Sequence, residues 1–353
     1  MRALGVHIFA GGFSLGVERH FELLGHLERS SYGVRVWRRN RPGVPASVDK
    51  AAEWRGVVES AGDVDFVYGN PPCSPWSTAT IGYARKTVSP LLGWARDIMR
   101  VANATGARAV AIESVRGAFW HGAQVYRQLR DDFGWRSMQW LFVNAHDHGL
   151  AQWRPRLFVV YANEAFVPEW TPRPPVRVLD AIASAPADDP ISPKSIHTVP
   201  GVPREDVLRC VPAIKPGCRL HQTSDEDLAA ASSQVVVDGV RRAKFSVYEL
   251  RRLHPDQPCL VVYGEARYVH PTEDRLLTLR ELMRLQGYPD DFSFEDERQL
   301  SALKMLGKSV CPPVGEWLAG EVAAHLRGER DVRYVREAIH VCATDKSRET
   351  AIV

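Results

Sequence analysis

The sequence predicts an α/β fold, a mostly parallel sheet covered by helices, joined to a second, smaller domain of irregular structure. Two observations predict it. Over the first 160 residues, short apolar runs alternate with stretches of helical spacing; from Glu164 to about Pro258 that rhythm fades into proline-rich text such as "VPEWTPRPPVRV" and "SAPADDPISPKSIHTVPGVP". A chain of 353 residues with 45% apolar content has core enough for both parts.

In order, "ALGVHIF", "ELLGHLE", "VDFVYG", "AVAIES", "SMQWLFV" and "RLFVVYA" each have the length and content of a buried strand. Between them lie segments such as "PLLGWARDIMRVANATG", whose apolar residues recur at helical spacing. A helical pattern returns in "LTLRELMRLQG" and again, after paired prolines, in "VGEWLAGEVAAHLRG". The expected organisation is a sheet domain at 1–163, an irregular domain at 164–275, a segment returning to the first domain at 276–328, and a polar, loosely attached tail at 329–353.

Composition narrows the function classes. A net charge of +3 is nearly balanced, so it permits nucleic-acid binding without arguing for it. The six cysteines (Cys73, Cys210, Cys218, Cys259, Cys311, Cys342) form no CxxC pair and no zinc-like spacing, so neither a disulfide framework nor a metal is expected, and the expected setting is the reducing cytoplasm. No apolar run reaches the length of a membrane span, and the N-terminus lacks the features of a signal peptide. The chain is expected to be soluble and monomeric.

"LGKSVCPPVGEW", residues 306–317, superficially resembles the end of a phosphate-binding loop. Such a loop needs a glycine five residues before Gly307, where this chain has Ala302, and the upstream "EDERQLSALKML" reads as a polar turn entering a helix. Lys308 therefore needs another explanation.

In an open α/β sheet, ligands bind beyond the carboxyl ends of the strands, and five places there carry chemistry. "FAGGFSLG", Phe9 to Gly16, follows the first strand, and its glycines allow a backbone to approach a ligand at a helix N-terminus. Glu28 ends the second run, where a carboxylate can accept hydrogen bonds from ribose hydroxyls. In "VYGNPPCSPWS" prolines stiffen the backbone around Cys73, so that the thiol is presented rather than packed and could serve as a nucleophile. Glu113 closes "AVAIES" at a site where desolvation would raise its pKa and let it donate a proton near neutral pH. In "AQWRPRLF", Gln152, Arg154 and Arg156 alternate, which in an extended segment puts all three on one face and suits an anion or a solvated edge equally.

Together these features resemble the cytosine-C5 DNA methyltransferase family, in the right order along most of the chain. "FAGGFSLG" is similar to its first cofactor motif, Glu28 to its ribose-binding acid, "PPCS" to its nucleophile loop, "ESV" to its Glu-Asn-Val and "QWRPR" to its Gln-x-Arg-x-Arg. "RELMRLQGYPDDF", Arg280 to Phe292, is similar to the stretch after the target-recognition region, and "GKSVCPPV" to the closing motif. The resemblance implies a Rossmann-like S-adenosylmethionine-dependent methyltransferase fold with a target-recognition domain. It assigns catalysis to Cys73, Glu113, Arg154 and Arg156. It assigns the cofactor to Phe9, Ala10, Gly11, Gly12, Phe13, Glu28, Pro71, Lys308, Ser309 and Val310. Substrate or DNA contacts fall to Ser77, Ser114, Gln152, Arg219, Arg241 and Arg242, with double-stranded DNA as partner.

The chemistry suits these residues. Cytosine C5 is a poor nucleophile until a thiolate adds to C6 and makes C5 enamine-like. Cys73 would add, Glu113 would protonate N3, and the arginines would steady the activated ring. A stacked base cannot reach such a site, so base flipping is implied.

Four departures stand out. The first motif is two residues shorter than the family's Phe-x-Gly-x-Gly-Gly, Ser74 replaces a common glutamine, and Ser114 replaces the asparagine beside the catalytic glutamate. Lys308 occupies the position of an asparagine near the transferable group. Facing a sulfonium ~5 Å away at an effective dielectric of ~20, it would be repelled by ~3 kcal/mol. A carboxylate on the transferred carbon reverses the sign and makes a charge-assisted bond. With eight lysines in the chain, Lys308 thus favours carboxy-S-adenosylmethionine as donor and 5-carboxymethylcytosine as product. The alternative is ordinary methylation from S-adenosylmethionine, with Lys308 solvated or on a DNA phosphate.

Further basic candidates for DNA contact are Arg173, Arg177, Lys194, Lys215 and Lys244. Rival readings are a catalytically silent DNA-binding relative, a transfer-RNA cytosine enzyme sharing the motifs, and a nicotinamide oxidoreductase, which leaves "PPCS" and "QWRPR" without roles.

Overall fold

A computed structural model describes residues 1–28, 31–48, 56, 58–59, 61–73, 76, 88–185, 204–232, 236–237, 240–241, 250–294 and 298–344. The chain divides into two compact units: residues 1–149, 154–174 and 309–353 form the first, and residues 150–153 and 175–308 the second. This differs from the boundaries drawn on sequence, because 276–308 groups with the irregular region and the return to the sheet domain begins at Ser309.

The first unit contains β1 (Arg2–Val6), α1 (Gly12–Val17), β2 (Glu22–Glu28), α2 (Ser31–Asn40), β3 (Ala46–Val48), β4 (Phe66–Gly69), α3 (Val88–Ala104), β5 (Ala109–Ser114), α4 (Gly117–Asp132), β6 (Ser137–Asn144), β7 (Pro155–Ala162) and β8 (Ala165–Phe166). In the second unit are α5 (Val178–Ile182), α6 (Arg204–Arg209), α7 (Asp225–Ala231), β9 (Val236–Val237), β10 (Val240–Arg241), β11 (Arg251–Arg252), β12 (Tyr268–Val269), α8 (Leu279–Leu285) and α9 (Gln299–Lys308). The chain then returns to the first unit with α10 (Pro312–Leu326), β13 (Val332–Arg333) and β14 (Glu337–Cys342).

Eight strands form one sheet in the order β14-β6-β7-β5-β4-β1-β2-β3. Every neighbouring pair is parallel except those made by β7, which runs antiparallel to both β5 and β6. Burial on both faces explains why β4, β5 and β6 read as continuous apolar runs rather than alternating ones. The six strands expected from sequence form. Two more join at the edges: β3, too short to register as a run, and β14, which corrects the reading of residues 329–353 as a loosely attached tail. In β14 the apolar residues are interrupted by Glu337 and His340, but Glu337 binds Arg127 at 2.9 Å and the Trp140 indole at 2.7 Å, which holds the strand to the sheet.

The return of the chain at α10 closes the first unit by direct backbone contact. A side chain on Gly16 of α1 would collide with Pro312 O, the Gly315 carbonyl carbon and Glu316 N, and one on Gly315 would lie 3.2 Å from the Phe13 ring and carbonyl. Glycine at both positions lets α1 and α10 approach further than side chains allow.

In the second unit, Arg252 is a buried hub, donating to the carbonyls of Ile214, His270, Glu273 and Val211 and pairing with Asp274. Thr278 and Glu281 form a reciprocal capping box that starts α8. Gly307 has a packing reason here, since a side chain would meet the backbone of Tyr263 and Gly264. "GKS" is thus a helix end, as the absent upstream glycine indicates.

Replacing Gly16 by Val should lower the unfolding free energy by about 1–3 kcal/mol through overpacking. Urea denaturation checks this; unchanged stability would mean that α1 and α10 can separate without cost.

Candidate active site

The cofactor-type loop begins where β1 ends. His7, Phe9 and Gly11 all have left-handed backbone angles (φ 60, 54 and 75°), a strained turn for the two non-glycine residues. Glu28, at the end of the adjoining β2, compensates: its carboxylate accepts the Ile8 N–H at 2.5 Å and a second backbone N–H from Phe9. Glu28 is thus committed to the protein's own backbone, which its expected ribose contact did not anticipate. Burial pushes its carboxyl up to about 8, against the pull of those N–H groups. The turn delivers Gly12 to Ser309, whose Oγ accepts the Gly12 N–H at 3.2 Å. Phe13 is buried edge-on against Tyr68 and Phe158, and Ala10 and Val310 are also buried.

The Cys73 loop leaves β4 at Gly69, which must be glycine because a side chain would strike Val6 O and the Ile98 side chain. The Asn70 N–H donates to His7 O at 3.3 Å, after which Pro71 and Pro72 lead to the partly buried Cys73.

The reversal of β7 builds the rest. Antiparallel pairing sets Leu157 opposite Ser114 and Phe158 opposite Glu113, so the start of β7 lies beside the end of β5. Arg156, two residues before Phe158 and on its face, pairs with Glu113 through Nε at 2.9 Å, both side chains largely buried. Arg154 is 1% exposed, and its Nη2 donates to Ser309 O at 2.7 Å. One residue, Ser309, therefore ties the glycine turn to the arginine pair.

The electrostatics follow from this grouping. Burial, and secondarily the Glu113 charge, raise the Cys73 thiol, while Arg156 and Arg154 pull it down. Burial raises the Glu113 carboxyl as well, opposed by Arg156 and Arg154. Arg154 is lowered to about 10 by burial and by Arg156. Cys311, which opens α10, is raised to about 11 by burial within reach of the same charges. A thiol, a carboxyl group and two guanidinium groups thus share one buried region, the composition needed to add a nucleophile to a ring while protonating that ring elsewhere.

Most of the other expected residues belong to the second unit or lie outside the described residues. Gln152 does not extend the arginine row: it belongs to the second unit, where its amide accepts the Val262 N–H and donates to Leu285 O. Lys308 is the exposed last residue of α9. Arg177, a candidate for DNA contact, is paired with Asp180 and Asp256. Arg219 opens a short 3-10 turn, Lys215 is exposed, Arg241 lies in β10, and Arg173 makes a bridge with His148 in the first unit. Ser74, Ser77, Lys194, Arg242 and Lys244 lie outside the described residues. Sequence reasoning missed Tyr126, whose phenol is raised by burial and further by Cys73 and Glu113, opposed by a contact with Ser114. Its only sequence signal is an aromatic residue in the helix after "ESV".

Glu28 gives a pH test. Its carboxyl keeps its proton in the folded chain at pH values where the unfolded chain has lost it, so stability is full at low pH. It then falls between about pH 5 and 8, by up to about 1.4 kcal/mol per pH unit. Glu28→Gln should flatten that part of the melting-temperature profile. A variant curve parallel to the wild-type curve would contradict the assignment.

Residues 6–324 match the sequence profile of the C-5 cytosine-specific DNA methylase family. The chain is similar to the type II methyltransferase M1.HphI of Haemophilus parahaemolyticus, 26% identical over 335 residues covering 89% of this chain and 84% of that protein. It is also similar to M.NgoPII of Neisseria gonorrhoeae, 25% identical over 349 residues covering 93% and 95%. Among solved structures, the Dnmt2 methyltransferase of S. pombe superposes with a TM-score of 0.59 at 13% identity, covering 92% of this chain and 99% of that one, a likeness of fold. The profile spans the glycine turn, the Cys73 loop, Glu113, the arginine pair and Ser309 alike, and the chain belongs to the C-5 cytosine-specific DNA methylase family.

Proposed function

We propose that this enzyme alkylates C5 of a cytosine flipped out of double-stranded DNA, through a transient bond between Cys73 Sγ and C6. The observation that carries the reading is the buried grouping of Cys73 and Glu113 with Arg154 and Arg156, including the 2.9 Å ion pair between Arg156 and Glu113. Cys73 adds to C6 as Glu113, in the protonated form that burial favours and the arginines oppose, donates to N3, so that electron density moves to C5. Arg156 orients Glu113, and both arginines favour the thiolate over the thiol. After transfer, loss of the C5 proton and departure of the Cys73 sulfur restore the aromatic ring.

The residues fit S-adenosylmethionine. The left-handed turn at Phe9–Gly11 leads into a helix N-terminus with no side-chain cap, Glu28 and Ser309 accept the N–H groups of Ile8, Phe9 and Gly12 around it, and the family resemblance assigns Pro71 and Val310 to the same site. When bound there, the sulfonium cofactor supplies an electrophilic carbon. Transfer of a methyl group is the reading that family membership supports. Carboxymethyl transfer has one sequence feature in its favour: Lys308 immediately precedes Ser309 in the chain, and a cation there suits a carboxylate on the transferred carbon.

Two experiments test these readings. Purified enzyme is offered duplex DNA with S-adenosylmethionine, carboxy-S-adenosylmethionine or both, and the nucleosides are weighed. Methylcytosine alone from equal concentrations selects the methyl reading; carboxymethylcytosine selects the other, and Lys308→Asn should then shift the product towards methyl. Cys73→Ser should reduce transfer of either group by more than about 1000-fold while DNA binding persists. Transfer retained in that variant would eliminate the covalent mechanism.

A further inference from the structure

Cys73 must hold its sulfur in line with C6, yet the segment that carries it leaves the sheet at Gly69. Its anchor lies three residues downstream. The Trp76 N–H donates to Cys73 O at 3.0 Å, which ties the backbone of the two residues together. Trp76 is 7% exposed and packs into the core cluster that contains Ala118 and Tyr126 of α4. Two glycines of α4 receive it. A side chain on Gly122 would come within 3.0 Å of Trp76 Cε2 and Cζ2, and one on Gly117 would collide with Trp76 O. Neither glycine has a left-handed backbone, so conformational freedom does not explain them. Glycine in a helix interior, as at Gly122, is less favourable than alanine. Their shared property is the close approach they allow to one residue.

We propose that Gly117 and Gly122 of α4 form a seat for Trp76, and that Trp76 is a positioning residue that sets the reach of the Cys73 sulfur. The inference rests on Cys73 being the nucleophile. Because α4 starts three residues after Ser114, the same helix that follows Glu113 also fixes the nucleophile loop. Thiol and proton donor are thereby indexed to one rigid element.

The test uses the full chain, a duplex containing 5-fluorocytosine and both sulfonium donors, and follows the rate at which a protein–DNA adduct forms. A methyl group at residue 122 should push the indole aside. Gly122→Ala should slow the adduct about 100-fold, as expected for a reacting atom displaced by an ångström. Its dissociation constant for S-adenosylmethionine should not change, and the chain should remain folded at the assay temperature with its melting temperature lowered only as far as overpacking one side chain requires. Removing the benzo ring that carries Cε2 and Cζ2 should relieve the crowding, so Gly122→Ala combined with Trp76→Phe should form adduct faster than Gly122→Ala alone. Should Gly122→Ala fail to fold, Trp76→Leu empties the seat without crowding it and must slow the adduct while leaving cofactor affinity intact. A Gly122→Ala rate within about threefold of wild type, or a double variant no faster than Gly122→Ala, would overturn the seat. Failure of the wild-type chain itself to form an adduct would instead remove the nucleophile assignment on which the seat rests.

Discussion

The site depends on one reversed strand. Had β7 run parallel to β5, Arg154 and Arg156 would lie at the far edge of the sheet from Glu113, because the start of a parallel strand sits opposite the neighbour's start. Antiparallel pairing instead brings the start of β7 to the end of β5, and the ion pair between Arg156 and Glu113 follows from register alone. Ser309 then joins this charged group to the glycine turn through two bonds, one from Gly12 and one from Arg154. The chain returns from the second unit to the first at that residue.

Burial and charge oppose one another throughout the site. Desolvation alone would keep the Cys73 thiol and the Glu113 carboxyl protonated; two guanidinium groups oppose this for both. The opposition has chemical value. In the proposed mechanism the carboxyl needs its proton to give to a ring nitrogen, whereas the thiol must lose one to attack. At Glu28 the same physics serves structure, because a buried carboxyl occupies the N–H groups of a left-handed turn that would otherwise lack acceptors.

Much of this was legible in the sequence, and the reasons differ by element. Strands β1, β2, β4, β5, β6 and β7 announce themselves because most of each central strand is buried, leaving text dominated by apolar residues. β14 is hidden because it lies at the sheet edge and is only partly buried: Ile339 is exposed, and Glu337 and His340 break up its apolar residues. Cys73 and Glu113 could be singled out because they follow or close apolar runs, where an open sheet places its ligands, and Arg154 and Arg156 because they alternate at the start of another. Gln152 shows the limit of that logic: alternate spacing gave it a place in the arginine row, whereas its amide is bound to Val262 and Leu285 in the second unit. Trp76 and the glycines beneath it are invisible for a similar reason, since the spacing of two helical glycines does not say what lies against them. Only the packing does.

The central claim is that Cys73 becomes covalently joined to the target pyrimidine. The most direct measurement digests the complex trapped on a duplex containing 5-fluorocytosine and locates the modified residue by peptide mass spectrometry. A nucleotide adduct is expected on the peptide bearing Cys73. An adduct on another cysteine, Cys311 included, or transfer to cytosine without any trapped species, would contradict it.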